Sequence, residues 1–370
     1  MTTKTFVMYP SLGVGHLNPM VELAKHLRRR GLGVVVAVID PPNNDAVSAD
    51  AMARLAAANP SITFRLLPAP ASPDVGAHPI KRSHDTLKLA NPVLREFLRS
   101  LPAVDALLLD MFCVDALDVA AELAIPAYFF FPSQASALAV FLHLPYYYPN
   151  LPTFMEMGKA ALLRFPGMPP IRTVDMPAML RDKESEATKV RLYQFKRMTE
   201  AKGVLVNSFD WLQPKALKAL AAGVCVPDKP TPRVYCIGPL AEVVQHEAVG
   251  VFVTHCGWNS TLEAIMSALP MICWPLYAEQ AMNKVIMVEE MKITVSLDGY
   301  EEGGLVKAEE VEAKVRLVME TEEGRKLREK LVETRDMALD AITEGGSSEM
   351  AFDKFMRDLE ESRLENGVRS

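Results

Sequence analysis

Short apolar runs alternate with amphipathic stretches through the first two thirds of the chain. The runs with the length and composition of buried strands are residues 6–8, 34–39, 62–67, 106–109, 127–131 and 204–206. Helical patterns lie between them; at residues 17–30, for example, Leu17, Met20, Ala24 and Leu27 recur at helical spacing. Alternating strands and helices predict a parallel sheet covered by helices, which is the α/β class.

The pattern changes after residue 240. Residues 226–239 contain four prolines and predict a linker. Only three further runs predict strands: 251–254, 271–274 and 293–297. Beyond residue 307 the chain is charged and helical, whereas a doubly wound sheet normally has about six strands. We therefore expect two domains, of which the second is incomplete: residues 1–239 and residues 240–370.

Composition and charge narrow the class of protein. The net charge of −6 has both signs mixed along the chain and offers no positive field to nucleic acid or anionic lipid. The five cysteines show neither a CxxC pair nor metal-ligand spacing, and free thiols fit a reducing compartment. The first residues contain no long apolar segment, and no run of about 18 apolar residues occurs. We expect a cytosolic monomer without a nucleic-acid partner or an integral membrane segment.

The most informative segment is residues 245–280, in which an apolar strand runs into a His-Cys-Gly turn and a helix then begins. A helix N-terminus presents unpaired N–H groups and the positive end of its dipole, so Asn259 and Ser260 mark a natural seat for a diphosphate. His255 can donate to the same anion, and Glu263, one turn further, can accept from a ribose diol. A structural interpretation stays open, because Asn and Ser are common N-caps and tryptophans fill cores.

A second candidate site follows the first strand, at residues 10–19. Its glycines let the backbone turn tightly, and His16 is expected to project into a cleft. A lone histidine is more often structural. A dinucleotide-binding loop is the alternative, but Gly13-Val14-Gly15 is not followed by a glycine three residues later, and no well-placed acidic residue follows the second strand. NAD binding is therefore not favoured.

Residues 245–280 resemble the sugar-nucleotide signature of plant family 1 UDP-glycosyltransferases, over some 36 consecutive positions. Members of that family are GT-B enzymes, in which two Rossmann-like domains face each other across a cleft. The resemblance implies UDP-glucose as donor. It assigns the diphosphate to His255, Asn259 and Ser260, and the ribose to Glu263. It assigns the sugar hydroxyls to Trp258, Glu279 and Gln280. The terminal Gln280 favours glucose.

The same resemblance assigns His16 as the general base that takes the proton of the acceptor hydroxyl. Asp110, at the end of a later strand, matches the aspartate that pairs with it. A carboxylate at one imidazole nitrogen fixes the tautomer and stabilises the imidazolium that forms. Asp110 could instead cap the helix that begins near Val114. Attack opposite the leaving UDP inverts the anomeric carbon, and because no Asp-x-Asp motif occurs, we expect no metal and no cofactor beyond the co-substrate.

The resemblance has one defect, near Leu240-Ala241. A long stretch that family members place there, with the first strands of the donor domain, is absent. The family's Trp-Ala-Pro-Gln, whose tryptophan stacks on uracil, corresponds by position to Ile237-Gly238-Pro239-Leu240. Ala268 also replaces a usual glycine. Missing strands should leave a sheet edge unpaired and cost stability.

Two functions follow from these observations. The first is an inverting glucosyltransferase that acts on the hydroxyl of a small phenolic acceptor, such as a flavonoid. The second is a non-catalytic form that binds acceptors or pairs with full-length relatives. The donor half of the chain distinguishes them.

Overall fold

The computed structural model describes residues 4–40, 49–68, 70, 76–241, 248–301 and 305–365. The elements of the first part of the chain are β1 (Thr5–Tyr9), α1 (Val14–Arg29), β2 (Gly33–Ile39), α2 (Ala49–Ala58), β3 (Thr63–Leu67), α3 (Pro79–Leu89), α4 (Asn91–Ser100), β4 (Ala106–Asp110), α5 (Ala116–Glu122), β5 (Ala127–Phe131), α6 (Ala135–Tyr147), β6 (Leu162–Leu163), β7 (Ile171–Arg172), α7 (Glu186–Met198), β8 (Gly203–Val206), α8 (Pro214–Ala221) and β9 (Arg233–Cys236). The second part contains β10 (Phe252–Thr254), α9 (Trp258–Met266), β11 (Met271–Cys273), α10 (Gln280–Val285), β12 (Thr294–Ser296), α11 (Ala308–Glu320), α12 (Glu322–Ala341) and α13 (Ser347–Glu365).

Seven of these strands form one parallel sheet in the order β3-β2-β1-β4-β5-β8-β9. The strand order reverses beside β1, where the crossovers change direction and the carboxyl ends of β1 and β4 lie next to each other. The central strands are buried on both faces, which explains their continuous apolar runs. All six strands predicted for this half are present, and the α/β class is confirmed.

The second sheet has three parallel strands, in the order β10-β11-β12. They coincide with the three runs predicted after residue 240. Helix α11 covers one face, and α9 packs on the other. Within the part of the chain that the structure describes, no strand pairs with the outer edge of β10, where Val249 and Val253 are 47% and 38% exposed. An edge of this kind is what the missing strands predict.

Helix α13 leaves the second sheet and packs on the first. Phe352, Phe355 and Leu359 are fully buried there, and Tyr235 on β9 donates a hydrogen bond to Asp358 (2.6 Å). The sequence-based boundary at 239/240 stays a prediction. If domains are defined by contact, however, α13 belongs with the first sheet, because its buried side chains pack in the core of that sheet.

Buried polar groups join the two sheets. Gln134, which precedes α6, donates to Asn283 on α10 (2.7 Å), and Asn283 donates to the carbonyl of Cys256 (2.9 Å). Both amides are completely buried. Lys284, also on α10, forms an ion pair with the buried Asp175 (2.8 Å). Because unpaired buried polar groups are costly, these contacts hold the sheets in one relative position.

Candidate active site between the two sheets

A cavity of about 350 Å³ lies between the carboxyl ends of the two sheets. The turns after β1, β4 and β5 form one wall, and the turns after β10 and β11 form the other. Ligands of open α/β sheets bind where the strand order reverses, outside the carboxyl ends of the strands. The position therefore marks this cavity as the candidate active site.

His16 reaches the cavity from the first turn of α1. The helix begins at Val14, three residues before the predicted start at Leu17, because Gly13 supplies a positive φ of 100° at the N-cap. Asp110 is the last residue of β4, the strand next to β1. The His16 Nδ1 and Asp110 Oδ2 atoms are 2.8 Å apart, so the predicted pair is assembled in the structure.

Asp110 is fully buried, and its second oxygen accepts a hydrogen bond from the backbone N–H of Phe112 (3.1 Å). The alternative role as a helix cap is not seen, because α5 begins at Ala116 with Asp115 at its N-cap. Both carboxylate oxygens of Asp110 are thus engaged, one by the imidazole and one by the turn that follows β4. This arrangement fixes the orientation of the histidine ring.

Opposing effects act on the pKa of His16. Burial lowers it, but the charge of Asp110 and the hydrogen bond to it outweigh burial, and Glu279 contributes in the same direction. The net result is a pKa above the ordinary value of 6.5. In the neutral ring the proton lies on Nδ1, toward Asp110, and Nε2 is the nitrogen that can accept a proton from a ligand in the cavity.

The opposite wall is the turn between β10 and α9. The first intrahelical hydrogen bond runs from Thr261 N–H to Gly257 carbonyl (2.9 Å), so the amides of residues 258–260 precede it. The Oδ1 atom of Asn259 is buried and has no partner among the described residues. Asn259 and Ser260 both line the cavity. The amides form an N-terminal seat for an anion, and the Asn259 oxygen beside them can accept a hydrogen bond from a ligand hydroxyl.

The ring of His255 packs directly on Gly257. A Cβ atom added at Gly257 would lie 2.3 Å from Nε2 of His255, far inside contact distance. The glycine therefore allows the imidazole to lie over the turn, at the edge of the cavity. His255 lines the cavity with the first residues of α9, as the sequence predicts.

Trp258 requires a correction. Its indole N–H donates to the carbonyl of Asn207, after β8, at 2.6 Å, and the residue is only 3% exposed. The side chain therefore anchors α9 against the first sheet and is not available to a sugar hydroxyl. Trp258 nevertheless lines the cavity as the first residue of α9. Sequence could not show this, because Asn207 is distant along the chain.

Of the three acidic and amide residues predicted to bind the donor sugar and ribose, two line the cavity and one does not. Glu279 lines the cavity, and its Oε1 accepts a hydrogen bond from Ser133 of the opposite wall (3.3 Å). The Oε1 of Gln280 accepts from the amides of residues 276 and 277, both at 2.9 Å, which leaves its NH₂ group for a ligand. Glu263 is half-buried on α9, outside the set of described residues that line this cavity.

Two features of the site were missed from sequence. Arg191 on α7 lines the cavity, although a single arginine on an amphipathic helix carries no signal. The buried amides of Gln134 and Asn283 support the turn at Cys256. Residues 237–240, at the positions of the family's uracil platform, lie beside α13 and away from this cavity.

Metal sites and membrane segments were also sought. Among the described residues, no group of three or more His, Cys, Asp and Glu side chains could hold a metal ion. In that same part of the chain, none of the helices combines the length and the apolar character needed to cross a bilayer.

Comparison with known proteins shows similarity to a family of UDP-sugar transferases. Residues 198–322 match the family model described as UDP-glucoronosyl and UDP-glucosyl transferase. UDP-glycosyltransferase 88B1 of Stevia rebaudiana is 30% identical, over 96% of this chain and 98% of the relative. Anthocyanidin 5,3-O-glucosyltransferase of a Rosa hybrid cultivar is 29% identical, over 94% and 97%. The first alignment spans 459 positions against 370 residues here, so at least 89 positions have no residue in this chain.

Solved structures give the same result for the fold. Phytolacca americana UGT2, complexed with UDP-2fluoro-glucose and pterostilbene, is 27% identical and superposes with a TM-score of 0.87, covering 97% of this chain and 100% of that chain. A UDP-glucosyltransferase from Polygonum tinctorium, in complex with 3,4-dichloroaniline, is 26% identical with a TM-score of 0.86, covering 97% and 99%. The predicted pair of Rossmann-like domains of the GT-B type is confirmed.

Proposed function

Because this chain belongs to the plant family of UDP-glycosyltransferases, we propose that it transfers glucose from UDP-glucose to the hydroxyl of a small phenolic acceptor, with inversion at the anomeric carbon. The observation that carries the proposal is the single cavity that joins the His16–Asp110 pair to the N-terminus of α9. One wall supplies a base and the other an anion seat, which are the two requirements of glycosyl transfer to a hydroxyl.

His16 acts as the base in this proposal. Its Nε2 accepts the proton of the acceptor hydroxyl as the oxygen attacks the anomeric carbon, and the buried carboxylate of Asp110 stabilises the imidazolium. The bond from the anomeric carbon to the diphosphate oxygen breaks on the opposite side, so an α-linked donor yields a β-glucoside. Asp110 remains ionised and holds the ring.

The leaving diphosphate gains negative charge as this bond breaks. In this proposal the amides at the start of α9, with His255 and Ser260, donate hydrogen bonds to the diphosphate and stabilise this charge. Because these donors are fixed before the reaction, they lower the barrier without first having to reorient. Glu279 and the amide of Gln280 border the same space and are proposed to bind sugar hydroxyls. Glu263 is proposed for the ribose.

The acceptor wall supports a flat, apolar substrate. Phe131, Phe141 and Phe195 line it, and the last two are stacked with ring centroids 4.4 Å apart. Aromatic walls favour planar ring substrates through stacked and edge-to-face contacts. A small phenol fits both this wall and the available volume of about 350 Å³.

The donor affinity is proposed to be weak. Ile237 stands where family members have the tryptophan that stacks on uracil, and it is buried beside α13. Stacking of one base on an aromatic ring contributes about 1–3 kcal/mol. Its absence alone predicts a dissociation constant for UDP-glucose about 5-fold to 150-fold above that of a complete relative.

Purified protein, UDP-glucose and a panel of phenols test the catalytic proposal, with glucoside formation followed by mass spectrometry. We expect product with the parent and a loss of at least about 100-fold in His16→Ala. His78→Asn is the matched control, because His78 is exposed, lies outside the cavity and caps α3 in a way that asparagine can replace. Equal rates in the parent and His16→Ala would refute the assigned base.

A second function is favoured by the missing positions and the unpaired edge of β10. In that case the protein binds acceptors, or pairs with a full-length relative, without catalysis. Isothermal titration separates the two: acceptor binding without measurable UDP binding at millimolar concentration supports the non-catalytic form. We also propose that the protein by itself is a monomer. Its domain boundary is proposed at 239/240, with α13 packing back on the first domain.

A further inference from the structure

We propose that Arg191 is an anion-binding residue of the acceptor pocket, so that preferred acceptors are phenols with a carboxylate across the ring from the reacting hydroxyl. This inference rests on the proposed function, because it names the substrate class of that same site. It also specifies which oxygen of such a substrate receives the sugar.

Arg191 stands on α7, on the same wall as the phenylalanine rings. Its guanidinium carbon lies 3.7 Å from the ring centroid of Phe112, and the Phe112 ring lies 4.9 Å from the ring of His16. The guanidinium carbon therefore lies no further from the centroid of the His16 ring than these two lengths added together. One small aromatic acid can therefore contact both groups, with its hydroxyl at His16 and its carboxylate at Arg191.

The cation of Arg191 lacks an anionic partner. One of its five N–H donors is used by the side-chain oxygen of Gln194 (2.7 Å), and no carboxylate of the described residues forms an ion pair with it. Burial lowers the pKa of Arg191 to about 10, against the attraction of Asp110 and Glu279, so the group remains charged at neutral pH. A half-buried cation with no direct ion pair is only partly compensated by the more distant carboxylates, and a ligand carboxylate would offset the remaining cost.

The surroundings make the arginine selective. Arg191 is the only lysine or arginine among the described residues that line the cavity, and the other side chains of this wall near it are mostly apolar. In an apolar pocket a fixed guanidinium fork binds a carboxylate through two parallel hydrogen bonds, which also orient the ligand. A neutral phenol leaves these donors unpaired.

Orientation decides the product. A carboxylate held at Arg191 lies away from His16, and the phenolic hydroxyl is placed at Nε2. The hydroxyl oxygen then forms the new bond to the anomeric carbon, its proton passes to His16, and UDP leaves. The product is a phenolic glucoside with a free carboxylate, which resists mild alkali, and not a glucose ester, which mild alkali cleaves.

An anionic sugar donor is the other source of a carboxylate. We favour the acceptor because Arg191 belongs to the wall formed by the first sheet, whereas the diphosphate seat and Gln280 belong to the opposite wall. UDP-glucuronate is therefore included in the experiment as a separate arm, with a neutral phenol as its acceptor.

The experiment compares 4-hydroxybenzoate with its methyl ester, which removes the charge and adds one methyl group. Binding of each compound is measured by calorimetry without donor, and kcat/KM is measured with UDP-glucose. Arg191→Met removes the charge at similar length, Arg191→Lys keeps it, and Lys189→Met is the matched control, since Lys189 is an exposed cation on the same helix.

The parent should bind the acid at least about 10-fold more tightly than the ester, and Arg191→Met should lose about 10-fold to 100-fold of that preference while its affinity for the ester changes little. Arg191→Lys should recover part of it, and Lys189→Met should behave as the parent. Equal losses for acid and ester, a preference for the ester in the parent, or an effect seen only with UDP-glucuronate would each overturn the proposal. If the acid is bound selectively but no glucoside forms, the anion site stands and the proposed catalytic function fails.

Discussion

Replacing Asp110 by asparagine tests the catalytic geometry most directly. Asparagine keeps the shape of the side chain and can still accept from Phe112 N–H or from His16, but it carries no charge. Asp110 is completely buried and lies 2.8 Å from His16 Nδ1, so the solvent cannot replace the lost carboxylate. The change therefore removes the charge without creating a cavity.

The magnitude follows from two effects. A hydrogen bond to a charged group contributes about 1.5–3 kcal/mol, and this contribution grows as the imidazolium forms. An amide can also present its NH₂ group to Nδ1, which places the ring proton on Nε2 and abolishes the base. Together these effects predict a fall in kcat of about 10²–10⁴. Affinity for the acceptor should change little.

The pH profile gives an independent readout. Only neutral His16 can act as base, and its pKa in the parent lies above 6.5, so kcat/KM should rise with pH through that raised pKa. In Asp110→Asn the effects of the carboxylate are lost while burial remains, so the inflection should move to lower pH. The raised pKa of His16 also stabilises the fold most below its unfolded-state pKa, and this stabilisation is lost as pH rises through the folded-state value.

Product formation measured from about pH 5 to about pH 9 checks both effects. Asp115→Asn is the matched control, because Asp115 is also buried, in the segment after β4, but bonds to Tyr193 and not to His16. A variant Asp110→Asn that keeps its rate within about 3-fold and its inflection unchanged would refute the assignment of Asp110 as the partner of the base.

Three further predictions concern stability and the donor seat. Ala268 ends α9 in the left-handed conformation (φ 47°), with the hydrogen bonds of a Schellman motif. Ala268→Gly should therefore stabilise the protein by about 1 kcal/mol and raise the Tm by about 2–4 °C. As a control, glycine at the helical position Ala264 should destabilise it. Gly257→Ala should displace His255 and weaken UDP binding by about 10-fold in calorimetry, without changing acceptor binding; an unaltered UDP affinity would contradict a role for that imidazole. Lys284→Met should destabilise the protein by about 1–3 kcal/mol in urea unfolding, because Asp175 stays buried with less compensation; no measurable change would show that this ion pair does not hold the sheets together.

Much of the fold could be predicted locally. Strands of both sheets follow from apolar runs, because a parallel strand covered on two faces needs apolar residues at every position. His16 and Asp110 could be predicted as a pair only with the help of the family resemblance, since a separation of 94 positions along the chain gives no local signal of contact. Helix α1 begins three residues before its predicted start, because Gly13 at the N-cap is a weaker sequence signal than serine or aspartate.

The sequence by itself determined the α/β class, six of the seven strands of the first sheet, the three strands of the second, the motif of the diphosphate seat and the absence of the family's uracil platform. Only the tertiary structure decided that the indole of Trp258 bonds to Asn207, that α13 packs on the first sheet, and that Arg191 faces the cavity without an anionic partner. The reason is physical. Periodicity and turn chemistry depend on neighbours along the chain, whereas the partner of a buried polar group is chosen by packing between segments that are distant in sequence.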